Sequence, residues 1–192
     1  PQGTGSSFGL YTWPASRVLA EHVWLHRGAF AGKRCVELGA GASLVSVVAA
    51  KLGAHVTLTD KAGAEDVLDQ CRAMCAVNGV DATTAVVPLS WGVFTAEVVA
   101  LTGFDVLLAA DVLYDSRDFE AVVATLHFFM RKNPAMVALV AYQQRSVTKT
   151  LGPLLVQWQL KAEVVPEDTC CRPGWPPVEL PLAHSVCVLR IT

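Results

Sequence analysis

The sequence predicts an α/β fold in which helices cover both faces of a doubly wound, mostly parallel sheet of seven strands. Three observations support this prediction. Short β-branched and apolar runs alternate with segments whose apolar residues recur at helical spacing, which is typical of a parallel sheet. A glycine-containing turn directly follows the first apolar run. The last two apolar runs have no helical segment between them, so we expect an antiparallel hairpin at one edge.

The composition is that of one globular domain. The chain has 192 residues, of which 53% are hydrophobic and 17% are charged, enough to bury a sizeable core. We therefore predict a single domain over residues 1–192, with a loose Gly- and Ser-rich lead-in at 1–9. The net charge of −2 gives no reason to expect a nucleic-acid or membrane partner. No apolar run reaches the roughly 18 residues that span a bilayer, and no signal peptide is visible.

The individual elements follow from apolar spacing and from glycine and proline. Pro14 opens the first helix, which is centred on residues 17–27 and which Gly28 ends. Further helices are predicted at 43–52, 65–78, 96–101, 118–131 and 147–158, the last of them interrupted at Gly152-Pro153. Strands are predicted at 34–38, 55–60, 83–89, 104–110, 135–142, 160–165 and 185–191. A long Pro-rich loop over 166–184 joins the last two strands.

The densest functional signal is the turn after the first strand, which reads Glu37-Leu38-Gly39-Ala40-Gly41. Glycines let the backbone turn sharply and approach a ligand without a Cβ in the way. The helix that begins straight after the turn presents unpaired N–H groups and partial positive charge, which favour an anionic group such as the carboxylate of an amino acid. The alternative is a connection that uses its glycines only to turn the chain.

A second carboxylate ends the next strand. Asp60 can accept hydrogen bonds from a ribose diol, which suits either a nicotinamide dinucleotide or a nucleoside that carries an amino acid. Leu44 stands where the dinucleotide fingerprint requires its third glycine. Glu37, directly before the turn, would repel a pyrophosphate and would suit a cofactor with an ammonium and a sulfonium. The residues therefore favour S-adenosyl-L-methionine over a dinucleotide.

Five blocks in order carry a family resemblance: Trp13-Pro14-Ala15, Val36 to Gly41, Leu58-Thr59-Asp60, Leu89-Ser90-Trp91-Gly92 and Ala110-Asp111-Val112-Leu113-Tyr114. From about Gly9 to Ile191 the chain resembles the seven-strand methyltransferases of the protein lysine and arginine group, sometimes called family sixteen. The resemblance implies a Rossmann-like sheet with the last strand antiparallel. It also implies S-adenosylmethionine contacts at Trp13, Gly39, Ala40, Gly41, Asp60, Trp91 and Ala110. On residue chemistry alone, Trp91 could stack on adenine or could pack at the edge of the core, and Trp13 has the same two readings.

Asp111 and Tyr114 are the candidate catalytic residues. They follow the strand at 104–110, which should neighbour the strand at 34–38 at the point where the sheet reverses its order and ligands bind. The resemblance gives this D-x-x-Y segment a role in holding the acceptor nitrogen. Asp111 could accept its hydrogen bond, Tyr114 could shape the slot, and Asp115 offers a second acid; alternatively, Asp111 caps the following turn. Tyr142 to Arg145 could line the rim, and His184 could reach it.

The remaining expectations concern metals, partners and location. The six cysteines contain no C-x-x-C pair, so we expect reduced, mostly buried thiols, no metal site and a cytoplasmic and nuclear protein. The resemblance implies a protein substrate, with arginine, on a histone, or lysine as the target, and sequence chemistry leaves that choice open. We expect a monomer that binds neither nucleic acid nor membrane.

Two further functions use the same residues. A small-molecule methyltransferase would have this fold too, because a fold does not fix the substrate. A protein that binds the cofactor and acts through partner contacts is a third reading, which the intact D-x-x-Y segment disfavours. A dinucleotide-dependent enzyme is the least favoured, because of Leu44.

Overall fold

The computed structural model describes residues 9–143, 151–166 and 186–192. The helices are α1 Pro14–Leu25, α2 Leu44–Lys51, α3 Glu65–Val77, α4 Ala96–Ala100, α5 Phe119–Lys132 and α6 Gly152–Gln157. The strands are β1 Arg34–Leu38, β2 His55–Asp60, β3 Thr84–Pro88, β4 Val106–Ala110, β5 Val137–Gln143, β6 Ala162–Val164 and β7 Val186–Ile191. Two short 3₁₀ helices at Arg27–Ala29 and Asp81–Thr83 lead into strands.

The seven strands form one sheet in the order β3-β2-β1-β4-β5-β7-β6. The first five pair in parallel, and β7 pairs antiparallel with both β5 and β6. The predicted mostly parallel sheet and the antiparallel last strand are therefore confirmed. The predicted hairpin is present at the β6 edge, and its second strand also extends the sheet from β5. The order reverses between β1 and β4, which is where a doubly wound sheet opens a crevice for ligands.

Helices cover both faces of the sheet because its strands are apolar on both faces. On one face α1, α2 and α3 pack through residues such as Leu19, Val45 and Val67. On the other face α4, α5 and α6 pack through residues such as Val98, Phe129 and Leu155. The carboxyl ends of β1, β2, β4 and β5 are left at one edge, between these two layers.

Two details differ from the sequence predictions. Gly152-Pro153 begins α6 and does not interrupt it, because proline suits the first helical turn, where its missing N–H has no partner to lose; the predicted residues 147–150 lie outside the described part of the chain. Gly9, placed in the loose lead-in, is packed: a Cβ there would lie 2.7 Å from a methyl group of Val67. In the described residues, none of the helices has the length and apolar character needed to cross a bilayer.

Candidate active site

The glycine turn after β1 adopts a backbone that L side chains rarely take. Gly39 has φ +64° and Gly41 has φ +47°, both in the left-handed region where glycine carries no Cβ penalty. A Cβ on Gly39 would lie 3.0 Å from Cγ1 of Val112 and 3.3 Å from Cζ2 of Trp91. The indole of Trp91 therefore packs directly against the turn, and its contact with a cofactor stays a prediction.

Asp60 is connected to this turn by a hydrogen bond. The backbone N–H of Gly41 donates to Oδ2 of Asp60 at 2.8 Å, and the N–H of Lys61 donates to Oδ1 at 2.7 Å. Ala40 joins the same two strand ends, because its N–H donates to the carbonyl of Thr59 at 2.9 Å. Each carboxylate oxygen of Asp60 has further lone pairs, so the group can still accept hydrogen bonds from a ribose.

Glu37 lies at the same strand end, but its carboxyl group is engaged inside the protein. Oε2 accepts hydrogen bonds from the backbone N–H of Ser46, at 3.1 Å, and from the Ser46 hydroxyl. Burial raises the pKa of Glu37 to about 8, against the opposing effect of these hydrogen bonds. Near neutral pH the group is mostly protonated, so the predicted repulsion of a pyrophosphate does not follow. The absence of a third glycine at Leu44 remains the argument against a dinucleotide. A cofactor contact by Glu37 stays a prediction.

Asp111 directly follows β4 in a left-handed conformation with φ +56°, which is uncommon for a residue other than glycine. Its side chain is buried, with 6% of the residue exposed, and its backbone N–H donates to the carbonyl of Ala141 at 2.8 Å. Strained backbone of this kind clusters at functional sites, where the surrounding structure holds it. The preceding residue, Ala110, is buried at the same strand end.

Tyr114 lies close to Trp91, which packs on the glycine turn, and close to Asp111. Its ring meets the Trp91 ring edge-on with 6.2 Å between centroids, and 53% of the residue is exposed. Partial burial raises the pKa of Tyr114, and nearby carboxylates raise it further: those of Asp118, Asp115, Asp60 and Asp111. The exposed phenol therefore stays protonated and lies in acidic surroundings.

Asp115, the second acid predicted to face the acceptor, is already paired with Arg117. Both oxygens of Asp115 accept hydrogen bonds from the guanidinium of Arg117, at distances down to 2.6 Å, and Oδ1 also accepts from the Arg117 backbone N–H. An Asp111/Asp115 pair that clamps a substrate guanidinium would have to displace Arg117. The acceptor role of Asp111 stays a prediction.

The start of the described chain passes over the turn. A Cβ on Gly41 would lie 3.0 Å from the carbonyl oxygen of Gly9. Trp13 follows at the N-cap of α1, where the edge of its ring meets Tyr11 with 5.1 Å between centroids. Trp13 is partly buried, and its contact with a cofactor stays a prediction.

Several residues that build the site gave no distinctive signal in the sequence. Ser46 receives Glu37, and the thiol of Cys71 donates to the carbonyl of Gly41 at 3.4 Å. Burial raises the pKa of Cys71 to about 11, so this thiol stays protonated. Helical periodicity assigns Cys71 to packing, and nothing in the sequence singles out Ser46. The rim candidates Gln144, Arg145 and His184 lie outside the described residues, as do Cys170 and Cys171.

The four described cysteines are free thiols: Cys35, Cys71, Cys75 and Cys187. Within the described ranges, no three His, Cys, Asp or Glu side chains are grouped so that they could hold a metal ion.

The geometry fits a nucleoside that carries an amino acid. The two turn glycines leave a cradle that side chains would fill, Asp60 offers oxygens beside it, and Cζ2 of the Trp91 ring lies close to Gly39. Gly39 to Gly41 and the start of α2 would hold the amino-acid end, and Asp60 would hold the sugar. Asp111 and Tyr114 lie on the adjoining side of the crevice, where an acceptor would enter.

Comparison with known proteins gives consistent matches. A family model described as lysine methyltransferase matches residues 1–151. The histone-arginine methyltransferase METTL23 of Xenopus laevis is 36% identical over 197 residues, which cover 100% of this chain and 82% of that protein. The human protein of the same name is 40% identical over 160 residues, which cover 83% of this chain and 84% of that one.

A solved structure shares the fold at low identity. Fibrillarin from Aeropyrum pernix, in complex with natively bound S-adenosyl-L-methionine, superposes with a TM-score of 0.60 at 16% identity. The match covers 84% of this chain and 67% of that one. At this identity the likeness concerns the fold alone. The sequence relatives agree with the family resemblance drawn from the five residue blocks.

Proposed function

Because the chain belongs to the lysine methyltransferase family, we propose that it transfers a methyl group from S-adenosyl-L-methionine to a side-chain nitrogen of arginine or lysine in a protein. The relatives named histone-arginine methyltransferase make a histone arginine the first acceptor to test. The observation that carries the proposal is the position of Asp111: a buried carboxyl group on strained backbone, next to a half-exposed tyrosine and across from a glycine cradle.

The cofactor assignment is supported by the turn and its neighbours. When bound, S-adenosylmethionine supplies a methyl group on a positively charged sulfur. Gly39, Ala40 and Gly41 allow a close backbone approach to its amino-acid end, and Asp60 accepts hydrogen bonds from its ribose. Trp91 covers the adenine, and Trp13 and Ala110 complete the contacts that the family resemblance implies. A larger side chain at Gly39 would collide with Trp91.

Asp111 and Tyr114 act on the acceptor. Methyl transfer is an in-line displacement, so the nitrogen must present its lone pair along one direction at close range. Asp111 accepts a hydrogen bond from the nitrogen's N–H and so orients it. Its carboxylate would also favour loss of a proton from the nitrogen as the new C–N bond forms and the bond between the methyl group and the cofactor's sulfur breaks, which leaves a neutral thioether. The ring of Tyr114, which contacts Trp91, forms one wall of the slot.

The surroundings of the slot favour a basic protein side chain. Four aspartates lie close enough to Tyr114 to raise its pKa, and Tyr114 itself is half-exposed. Arg117 offsets the charge of one of them, Asp115, and the other three are Asp60, Asp111 and Asp118. An acidic, open entrance attracts a positively charged arginine or lysine on a peptide, whereas a small neutral substrate would gain little from it. We therefore favour a protein substrate over a free small molecule. We expect the enzyme to act as a monomer in the nucleus and cytoplasm.

The test is methyl transfer with an acceptor-side variant. Purified protein is incubated with methyl-labelled S-adenosylmethionine and core histones, and the labelled side chain is mapped by mass spectrometry. Asp111→Asn removes the charge but tolerates the left-handed backbone, so the variant should fold and bind cofactor. We expect labelling to fall by at least roughly 100-fold, in the range of positioned acid–base groups. Asp69→Asn on the exposed face of α3 is the control with the same charge change. Equal labelling by Asp111→Asn and wild type would remove the acceptor role.

A further inference from the structure

The segment that carries Trp91 is anchored to helix α5 by a buried hydroxyl. The backbone N–H of Gly92 donates to Oγ1 of Thr125 at 2.9 Å, and the same hydroxyl donates to the carbonyl of Ala121 at 2.8 Å. Thr125 is fully buried. Its hydroxyl therefore uses its single proton within α5 and keeps a lone pair for Gly92, so both bonds form together.

Close packing reinforces this anchor. Gly92 has φ +74°, and a Cβ there would lie 3.3 Å from Cβ of Ala121, so the segment lies tight against α5. Two residues further on, the ring of Phe94 packs on Phe128 with 4.4 Å between centroids. Before Trp91, the hydroxyl of Ser90 accepts a hydrogen bond from the backbone N–H of Ala62 at 3.2 Å.

Trp91 is thus fixed on both sides while its indole faces the cofactor turn. Cζ2 of Trp91 lies 3.3 Å from the place of a Gly39 Cβ. A shift of the segment by a few tenths of an ångström would open or close this gap. The anchor at Gly92 is the one that ties the segment to α5, through Thr125.

We propose that Thr125 is a positioning residue for the cofactor, which acts through the Gly92 N–H to hold Trp91 against the turn at Gly39. The inference rests on the proposed function, because it assumes that Trp91 covers the adenine. Without the Thr125 hydroxyl, the partly buried N–H of Gly92 loses its acceptor and gains by moving toward water. Trp91 then moves with it, and the stacking surface no longer matches the bound adenine.

The experiment measures the Kd for S-adenosylhomocysteine by calorimetry on the full chain. Thr125→Val is nearly isosteric and removes the hydroxyl, and Thr125→Ser keeps it. We expect a roughly 3- to 10-fold higher Kd for the valine variant, which corresponds to one hydrogen bond, and a Kd near wild type for the serine variant. Thr84→Val is the matched control, because the Thr84 hydroxyl also donates to a carbonyl, that of Val80, away from the cofactor turn.

A double-mutant cycle separates positioning from a general structural effect. In a Trp91→Ala background, Thr125→Val should no longer change the Kd, because the residue through which it acts is missing. Gly92→Ala should also raise the Kd, because the added Cβ would crowd Ala121 and displace the segment that carries Trp91. This variant leaves the Thr125 side chain unchanged.

Two results would overturn the inference: an unchanged Kd for Thr125→Val, or an equal increase with and without Trp91. Failure of the cofactor assignment is distinguishable, because wild-type protein would then give no binding at all. Failure of the acceptor assignment is distinguishable too, because wild-type protein would then bind S-adenosylhomocysteine but label no protein side chain in the transfer assay.

Discussion

The backbone N–H of Gly41 donates a 2.8 Å hydrogen bond to Oδ2 of Asp60, 19 residues further along the chain. This bond joins the turn after β1 to the end of β2, the two elements assigned to the amino-acid and ribose ends of the cofactor. Asp60 therefore shapes the turn through this bond, and in the proposed function it also offers oxygens to the ribose of the cofactor.

Replacing Asp60 should weaken cofactor binding more than it weakens the fold. Asp60→Ala removes the acceptor for Gly41 and Lys61 and for the ribose hydroxyls. Since hydrogen bonds to charged groups contribute about 1.5–3 kcal/mol each, we expect the Kd for S-adenosylmethionine to rise by roughly 10- to 100-fold. Asp60→Asn keeps one carbonyl oxygen, so its Kd should lie between those of wild type and Asp60→Ala. Calorimetric titration measures these constants.

Asp105 provides the matched control for Asp60. It also accepts a backbone N–H, that of Arg34 at 2.9 Å, but at the opposite end of the sheet. Asp105→Ala should lower the free energy of unfolding about as much as Asp60→Ala does, but it should leave the Kd for S-adenosylmethionine unchanged. If both variants changed the Kd equally, the effect of Asp60 would reflect the fold and not a ligand contact.

The contact between Gly39 and Trp91 predicts that one added methyl group blocks the cofactor site. In Gly39→Ala the new Cβ meets Val112 and Trp91, while in Gly79→Ala the added Cβ meets nothing within 4 Å. The two positions have nearly equal φ, +64° and +66°. Both variants should lose about 1–2 kcal/mol of stability from left-handed backbone, but only Gly39→Ala should lose detectable cofactor binding. Wild-type affinity in Gly39→Ala would exclude the turn from the site.

Burial of Glu37 predicts a pH-dependent stability. Burial raises its pKa from an ordinary value of 4.5 to about 8 in the folded protein. Between these values the folded state holds a proton that the unfolded state has released. The proton on Glu37 therefore contributes fully to the free energy of unfolding below pH 4.5, and this contribution is lost as the pH rises toward 8. The free energy of unfolding should fall by at most about 1.4 kcal/mol per pH unit in this range.

Urea unfolding at several pH values between 5.5 and 8.5 measures this slope. Glu37→Gln keeps an oxygen acceptor for Ser46 and cannot titrate, so the difference in unfolding free energy between wild type and variant isolates Glu37. We expect that difference to shrink or reverse in favour of Glu37→Gln as the pH rises. Parallel curves for the two proteins would mean that Glu37 titrates normally.

Tyr114 should contribute through its ring more than through its hydroxyl. The ring contacts Trp91, and the raised pKa of the hydroxyl keeps it protonated in the assay range. Tyr114→Phe should therefore retain most of the transfer rate and the same alkaline limb of the pH–rate profile. Tyr114→Ala should lower kcat/KM by roughly 2- to 10-fold, since an aromatic pair contributes about 0.5–1.5 kcal/mol beyond its buried area. Equal losses in both variants would assign the role to the hydroxyl.

Much of the fold follows from local sequence. The bounds of β1 and β2 match their prediction, because β-branched and apolar residues lie between clear turn signals. The direction of the Glu37 side chain could not be predicted, because a strand buried on both faces has no polar alternation that marks a side. The Thr125–Gly92 bond joins residues 33 apart and depends on how α5 packs against the sheet. Aspartate tolerates left-handed backbone better than most residues, but residue type alone does not predict it at Asp111.

The Gly41–Asp60 pair also defines the most direct test, which is titration of the folded protein with S-adenosylmethionine and S-adenosylhomocysteine in a calorimeter. Saturable binding at one site per chain is expected, weakened in Asp60→Ala and retained in Asp111→Asn. No measurable heat with either ligand, in protein that unfolds cooperatively, would contradict the assignment of the glycine turn as a cofactor site.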